Sequence, residues 1–287
     1  MSYDLHFQKK NRELFSRQEF VAYFTSRPHY KVENGQALYE NDDTGVYFIV
    51  EHNEVESLEK TEDPSDYSPA NLNLNFLRPH IFALEAEPEI TAFVRQFEFI
   101  IMDPQIDGNP GTTYEREAFL RGWNAGNKVA FDSIGKSNPE IKTLLYPSAD
   151  LERHWNWNFK RNDLRNQLRE NIFVPKIAYH SLEGSVKSFI VWSEAIPTAF
   201  PTVDTVVVFR QSLAPSKFLR SKQNDFTIKS FSDIGRLLSE EVEYNSLKYR
   251  TLASEEKAKE WVISLPASSV KPSPVSVDRV LDFELSQ

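Results

Sequence analysis

The sequence predicts an α+β fold: an N-terminal antiparallel sheet with packed helices, followed by a second α+β lobe that opens with two helices. Three observations lead to this prediction. Several short segments alternate polar and apolar residues, as half-buried strands do, and others repeat apolar residues with helical periodicity. A turn-rich stretch at 105–112, QIDGNPGT, separates the two halves of the chain. With 287 residues and 40% hydrophobic content, the chain can bury a large core.

The first lobe, residues 1–104, is predicted to follow a βαβββαβ-like order. Ser16 and Glu19 have the spacing of a capping box, which starts a helix that Pro28 ends. The second helix is expected to run from Pro88 to about Gln96. The expected strands lie at 2–8, 37–39, 46–50, 72–76 and 97–102, with a short extended piece at 30–32.

The second lobe, residues 113–265, begins with two predicted helices at 114–134 and 150–170. Beyond it the chain becomes rich in Ser and Pro, so residues 266–287 are predicted to form a C-terminal tail. The remaining predicted elements of the lobe are strands at 172–180, 186–192 and 204–210 and helices at 230–240 and 254–263.

Negative charge is concentrated in one part of the chain. Residues 40–66 carry ten acids and one base, Lys60, which accounts for the whole formal net charge of −9. A cluster of one sign steers association with an oppositely charged partner. The same composition is typical of a solvated loop, so both interpretations stay open. The residues predicted to contact a partner are Asp42, Asp43, Glu51, Glu54, Glu56, Glu59, Glu62, Asp63 and Asp66.

No motif in the sequence predicts catalysis. Asp43-Thr44-Gly45 matches the tripeptide of aspartic proteases, but it occurs once where such enzymes need two, so we predict a hairpin turn there. The six histidines include no pair at helical metal spacing, and Cys is absent. The nine glycines form no phosphate-binding motif. We therefore expect no catalytic residue, no metal and no cofactor.

The chain shows no sequence sign of a secretory or membrane segment. Its N-terminus places an acid, Asp4, where a secretory signal needs basic and then apolar residues. No later stretch holds about 18 uninterrupted apolar residues. The absence of Cys suits a reducing compartment. A soluble cytoplasmic protein without a membrane partner is expected.

Residues 154–163, HWNWNFKRND, interleave aromatic, amide and cationic side chains more densely than the rest of the chain. At 100° per residue the apolar residues of this helix fall into two sectors, with a polar stripe between them on the inward-facing arc. Buried polar groups need partners, so the stripe must meet carboxylates, carbonyl groups or a ligand. The stripe consists of His154, Asn158, Arg161, Asn162 and Arg165.

The helix predicted at 114–134 has an apolar face on which Gly126 would let another element approach closely. Trp123 lies on that face and Asn127 borders it. If this helix packs on the one at 150–170, a Trp/Asn/His/Arg centre forms between them. That centre is either a structural polar network or the wall of a pocket. A pocket would make an enzyme or a small-molecule-binding protein the alternative function.

Nucleic acid is not an expected partner. Residues 153–169 carry five bases and one acid, but the rings of this helix are predicted to point inward. The chain as a whole is acidic, which disfavours the phosphate backbone.

Six short segments of the chain carry a resemblance to a known family. They are the opening MSYDL, DTGVYF at 43–48, NFLRP at 75–79, FALEAEP at 82–88, GWNAGN at 122–127 and WNWN at 155–158. Together they resemble a family of bacterial cytoplasmic proteins, some of which are similar to Sit-type immunity proteins. Such proteins bind and neutralise a toxin delivered by neighbouring cells. The resemblance spans most of residues 1–265 and transfers no active site or contact residue.

The resemblance, the local acidity and the lack of catalytic motifs lead to one functional expectation. The protein would be a cytoplasmic immunity protein that occludes a cognate toxin. A basic toxin, for example a nuclease with a cationic active site, would suit an acidic inhibitor.

Overall fold

The computed structural model describes residues 1–9, 14–54, 68–105, 111–142, 144–213, 225–266 and 272–287. These residues divide into two compact units. Unit 1 comprises Met1–Ser148 together with Asp278–Gln287, and unit 2 comprises Ala149–Val277. Helices and antiparallel strand pairs occur in both, so the fold class is α+β, as the sequence predicts.

Unit 1 is built around a six-stranded antiparallel sheet. Its elements in chain order are β1 (Ser2–Lys9), α1 (Arg17–Thr25), β2 (Tyr30–Glu33), β3 (Gln36–Asn41), β4 (Val46–His52), β5 (Ala70–Asn75), α2 (Ile81–Phe97), β6 (Phe99–Met102), α3 (Arg116–Ser133), α4 (Pro139–Lys142) and β7 (Leu145–Tyr146). The strand order in the sheet is β2-β3-β4-β5-β1-β6. The piece expected at 30–32 is a full strand, so the described residues between α1 and α2 form four strands instead of the predicted three.

Period-two alternation decides which face of this sheet is buried. Tyr3, Leu5 and Phe7 of β1 are buried, and the residues between them are half-buried. The helices cover the buried face, where Phe7 contacts Phe93 of α2 with ring centroids 5.2 Å apart. Side chains of a strand point alternately to the two faces, so the opposite face carries polar residues that include Asp4, Gln36, Glu51, Asn71 and Asn73.

Capping and burial set the bounds of the first two helices. Ser16 and Glu19 form the predicted capping box, with each side chain bound to the other residue's backbone N–H. The second helix differs from the prediction, because α2 begins at Ile81 and Pro88 lies inside it. Proline removes one helical hydrogen bond. Burial of the surrounding apolar side chains, such as Phe82 and Ile90, offsets that loss.

The helix α3 belongs to unit 1, whereas the sequence places it in a lobe at 113–265. It packs closely within unit 1 at Gly126, where an added Cβ would lie 2.4 Å from a ring atom of Phe76. Gly126 therefore permits the close approach that its place on the helix predicts. The observed boundary between the units falls at residues 148/149, while the predicted boundary is the loop at 105–112.

Unit 2 contains a mixed five-stranded sheet. Its elements are α5 (Ser148–Gln167, of which Ser148 falls in unit 1), β8 (Ala178–Leu182), β9 (Ser185–Ser193), β10 (Thr205–Arg210), β11 (Asp225–Ser230), α6 (Phe231–Ile234), β12 (Val242–Tyr244), β13 (Leu247–Tyr249), α7 (Glu255–Ser264) and β14 (Ser273–Val275). The strand order is β11-β10-β9-β8-β14, in which β9 and β10 are parallel and the other pairs are antiparallel. The core around this sheet includes Trp157, Trp192, Phe200 and Val262.

Several predicted bounds in unit 2 are wrong. The strand expected at 172–180 begins only at Ala178, because the backbone of Phe173 bonds instead with the loop at Pro197 and Ala199. The helix expected at 230–240 is the single turn of α6 followed by a 3-10 turn. The helix α7 forms as predicted, with Ser254 as its N-cap.

The C-terminal residues pair with strands, although the sequence predicts a tail at 266–287. β14 pairs with β8, and the last strand, β15 (Leu281–Asp282), returns to unit 1 and pairs with β7 in parallel. The carboxylate of Asp282 accepts hydrogen bonds from the backbone N–H of His80 at 2.8 Å and from its Nδ1 at 2.5 Å. These contacts fix the chain end within unit 1. Among the described residues, no helix has the length and apolar character needed to cross a bilayer.

Candidate functional site

The acidic segment divides between described and undescribed residues. Asp42 and Asp43 lie in the turn before β4, whereas Glu51 lies near the end of that strand and Glu54 just after it. A strand of seven residues spans roughly 23 Å. The described acids are therefore placed at opposite ends of β4 and do not form one cluster. Glu56, Glu59, Glu62, Asp63 and Asp66 lie outside the described residues.

Glu51 belongs to a network of amide donors on the polar face of the unit 1 sheet. Its carboxylate accepts hydrogen bonds from Gln36 Nε2 at 2.6 Å and from Asn71 Nδ2 at 3.2 Å. On the same face Asp4 accepts from Asn73 Nδ2 at 2.7 Å. Amides satisfy a carboxylate without neutralising its charge. The face therefore keeps its negative charge although its acids are hydrogen-bonded.

Two cationic side chains form ion pairs with acids of the segment 40–54. Lys31 Nζ lies 2.8 Å from Glu40, and the pair is exposed. Arg17 lies 3.6 Å from Glu54, and more than half of each side chain is exposed. Exposed pairs of this kind are weak, since water and salt screen them. These two contacts therefore add little to stability.

The Asp43-Thr44-Gly45 tripeptide forms the predicted hairpin turn between β3 and β4. Gly45 has φ +77° and donates its N–H to the carbonyl of Asn41 at 2.7 Å. The Thr44 hydroxyl donates to Glu85 at 3.0 Å. Glu85 is 1% exposed and also accepts hydrogen bonds from Tyr39 and Asn41, so it ties the hairpin to α2. The tripeptide and Glu85 have structural partners.

The residues predicted to share a polar centre belong to different units. Trp123 and Asn127 lie on α3 in unit 1, and both are buried. Asn127 Oδ1 accepts from the backbone N–H of Leu77 at 2.7 Å, and its Nδ2 donates to the carbonyl of Arg78 at 2.9 Å. This amide pairs with backbone inside unit 1. A centre shared between the two helices stays a prediction.

The stripe predicted on the helix at 150–170 is partly buried. His154 and Asn158 are buried on α5, and Arg161 is half-buried. Asn162 and Arg165 are exposed, so the inward-facing arc is narrower than the helical wheel predicts. The buried side instead follows the large apolar residues Trp157 and Leu164 into the core of unit 2.

Both buried polar residues of the stripe have partners inside unit 2. Asn158 Oδ1 accepts from the N–H of Ile177 at 2.9 Å, and its Nδ2 donates to the carbonyl of the same residue at 2.9 Å. His154 Nδ1 lies 3.1 Å from the hydroxyl of Tyr179. Burial lowers the pKa of His154 to about 4, and the nearby Arg153 cation adds to this effect. His154 is therefore neutral at pH 7.

A pocket of about 430 Å³ opens beside His154 in unit 2. Its volume is within the range of small-molecule sites. The turn at Asn245 and Ser246 borders it and is held by α5, since Lys160 Nζ donates to Ser246 Oγ at 3.0 Å. The pocket is lined by apolar Trp157, Ile177, Pro201 and Leu247, by His154 and Asn156, and by charged Arg153, Glu241 and Lys248, with Thr202 and Ser246 between them.

A second pocket, of about 420 Å³, lies in unit 1 and was not predicted from the sequence. It includes Tyr3 and Leu5 of β1, Asp103 after β6 and Phe119 of α3. The hydroxyl of Tyr3 donates to Asp103, which is 6% exposed. The sequence signal that could have indicated this pocket is an acid, Asp103, directly after the apolar segment 99–102. The hundred-residue separation of Tyr3 and Asp103 hides their contact from any local pattern.

Neither a group of metal ligands nor a similar protein helps to define the functional site. Within the described ranges, no group of three His, Asp or Glu side chains could hold a metal ion. Comparison of the chain with protein-family models, curated proteins and solved structures gave no match.

Proposed function

We propose that this protein is an immunity-type binding protein that occludes a basic toxin, with the acidic sheet face of unit 1 as its contact surface. The observation that carries the proposal is the arrangement of Asp4, Glu40 and Glu51 on one face of the sheet, half-buried or exposed. The face presents carboxylates whose closest donors include uncharged amides.

Electrostatics explains why such a face would suit a basic partner. Carboxylates held by neighbouring amides are fixed in position, so little side-chain entropy is lost when a partner binds. Complementary potentials raise the association rate and disfavour partners of the wrong sign. The proposed surface therefore favours a protein with a cationic site, such as a nuclease-type toxin.

The same electrostatics bears on the other expected partners. A negative face repels the phosphate groups of nucleic acid and of anionic lipid headgroups. We therefore propose a protein partner and not a nucleic acid or a membrane surface. A place in the cytoplasm belongs to the same proposal, because the toxin would act on targets there.

The direct test is genetic and uses the reading frame next to this gene, because immunity proteins are encoded beside their toxins. Expression of the neighbouring product alone should arrest growth, and co-expression of this protein should restore it. The purified pair should also form a complex whose association slows as salt rises. A harmless neighbour, or a toxic one that this protein neither binds nor neutralises, would refute the proposal.

Charge reversal then locates the contact surface. The double variant Glu51→Lys/Glu54→Lys reverses the charge of Glu51, which lies on the acidic face, and of Glu54, just beyond the end of β4. Its association rate should fall by about tenfold or more at low salt. The matched control, Asp42→Lys/Asp43→Lys, makes the same charge change at the other end of β4. A larger effect from the control would show that the Glu51 region is not the contact surface.

A second candidate function, small-molecule binding, is favoured by the pocket of unit 2. Its apolar lining residues would accept a ring or aliphatic group, and Arg153 and Lys248, which also line it, would accept an anionic substituent. The dye 8-anilinonaphthalene-1-sulfonate has both features. Its fluorescence should rise on binding, and Thr202→Trp should suppress this by filling the pocket. Ser232→Trp, at an exposed site outside the pocket, is the control. Equal fluorescence in all three proteins would refute this candidate.

A further inference from the structure

We propose that the pocket of unit 1 binds a small organic ammonium ion. This inference goes beyond the immunity-type function, since it concerns a ligand that unit 1 could bind without a protein partner. The pocket combines aromatic walls with carboxylates. The side chains that define it chemically are Tyr3, Tyr114, Phe119, Asp103 and Glu115.

The aromatic part of the pocket is built by β1, α3 and the residues just before α3. The rings of Tyr3 and Phe119 meet edge to face with centroids 5.8 Å apart, and those of Tyr114 and Phe119 lie 6.3 Å apart. Aromatic faces attract cations because of their quadrupole, and ammonium ions are a common ligand of such clusters. The rings also supply apolar contact for the carbon skeleton of an amine.

The charge of the pocket is negative. Asp103 is 6% exposed, and the described residues that line the pocket include no Lys, Arg or His. Within the described part of the chain, the donors to Asp103 are the hydroxyl of Tyr3 and the backbone N–H of Gln105, the latter at 2.9 Å. Both donors are neutral. A buried carboxylate is costly without a cation, so a cationic ligand would supply the missing charge.

Asp103 has acceptor capacity left for a ligand. A carboxylate offers about four lone-pair sites, and the two donors to Asp103 leave part of them unused. Burial and the neighbouring Asp103 raise the pKa of Tyr3, so its hydroxyl stays a donor at neutral pH. A ligand with N–H donors therefore fits better than a quaternary ammonium ion. Glu115, which is exposed, adds a second negative charge at the pocket.

The volume of about 420 Å³ is ample for a free amine that carries a ring or a short chain. The same ammonium group could be presented by a lysine side chain of a protein. Both sources share one recognition chemistry. Phenethylamine represents the free amine, and N-acetyl-lysine N-methylamide represents a lysine side chain within a chain.

The test is calorimetric titration of the full-length protein with these two amines at pH 7, with phenylacetate as an anionic probe of similar size. At least one amine should bind with a Kd of about 1 mM or tighter, and phenylacetate should not bind. Either amine supports ammonium recognition, and the tighter of the two identifies the source. Absence of binding by both amines, or equal binding of phenylacetate, overturns the proposal.

Three variants assign the binding to this pocket. Asp103→Asn keeps the side-chain shape but removes the charge and should weaken amine binding by about tenfold or more. If this variant does not fold, two others test the same site. Glu115→Gln removes an exposed charge and should weaken binding severalfold, whereas Ala118→Phe should abolish binding by filling the pocket. Glu117→Gln, on an exposed residue of the same helix outside the pocket, is the matched control. Unchanged affinity in all the folded pocket variants overturns the assignment.

Discussion

Asn158 pairs through its side-chain amide with both backbone polar groups of Ile177, at 2.9 Å in each case. One buried side chain thus holds α5 to the segment that precedes β8. The backbone at Ile177 lies outside any strand, so it has no ladder partner of its own. The amide of Asn158 replaces the missing strand partner, and this explains why an asparagine is buried at this position.

Removal of that amide should destabilise unit 2. Asn158→Ala leaves the N–H and the carbonyl of Ile177 unsatisfied, and we expect a loss of about 2–4 kcal/mol in the free energy of unfolding. Urea unfolding followed by tryptophan fluorescence measures it. Asn166→Ala, on an exposed face of α5, is the control and should change little. Unchanged stability in Asn158→Ala would contradict a structural role.

The protein should become less stable as the pH is lowered, because His154 is buried and its pKa is lowered. Its folded pKa is lowered to about 4, while the unfolded chain has an ordinary value near 6.5. Between these values the unfolded state binds more protons, so the free energy of unfolding decreases as pH falls. By pH 4 the imidazole of His154 is protonated in almost all unfolded chains. This lowers the free energy of unfolding by roughly 3 kcal/mol.

Urea unfolding between pH 7.5 and 4.5 tests this dependence. His154→Gln removes the titrating group, so the pH profile of the variant should be flatter than that of the unchanged protein. Since burial also lowers the pKa of His180, the difference between the two profiles is the relevant quantity. Parallel profiles would mean that His154 does not contribute.

The close approach of Phe76 to Gly126 predicts that replacing this glycine with alanine destabilises the protein. Alanine favours a helix by about 0.5–1 kcal/mol, but its Cβ would lie 2.4 Å from the ring of Phe76. We expect Gly126→Ala to destabilise the protein by about 1–3 kcal/mol through overpacking. Gly235→Ala is the matched control, because no atom lies within 4 Å of its added Cβ. That variant should be neutral or slightly stabilising in thermal unfolding.

A buried arginine on β10 links β11 to α7 in unit 2. Arg210 is fully buried, binds both carboxylate oxygens of Asp225 at 2.9 Å, and donates to the carbonyls of Val262 and Leu265 near the end of α7. Arg210→Ala should therefore cost about 3–5 kcal/mol, because it leaves a charge and carbonyls without partners. Arg236→Ala, at an exposed site, should change stability by less than about 0.5 kcal/mol. A small effect at Arg210 in denaturant unfolding would contradict this account.

Local patterns in the sequence were sufficient for many individual elements. The alternation at 2–8, the Ser16 and Glu19 capping box and the Gly45 turn all predicted structure that formed. These features depend on neighbours within a few residues, so the sequence contains the information directly. The prediction that His154 and Asn158 are buried also rested on a local property, the helical periodicity of residues 150–170.

Features that depend on distant residues were not predictable in this way. Pro88 is a usual first-turn residue, yet α2 extends seven residues before it, because burial of its apolar face outweighs one missing hydrogen bond. The exposure of Asn162 and Arg165 depends on where the core of unit 2 ends. No periodicity within one helix carries that information.

The sequence by itself determined the fold class, the position of most helices and strands, and the local concentration of acids. It did so because hydrophobic periodicity and capping are local properties of the chain. Only the tertiary structure decided that α3 belongs to unit 1, that the described acids lie at both ends of β4, and that Tyr3 meets Asp103. These relationships arise from long-range packing, in which residues about a hundred positions apart become neighbours through burial of shared apolar surface.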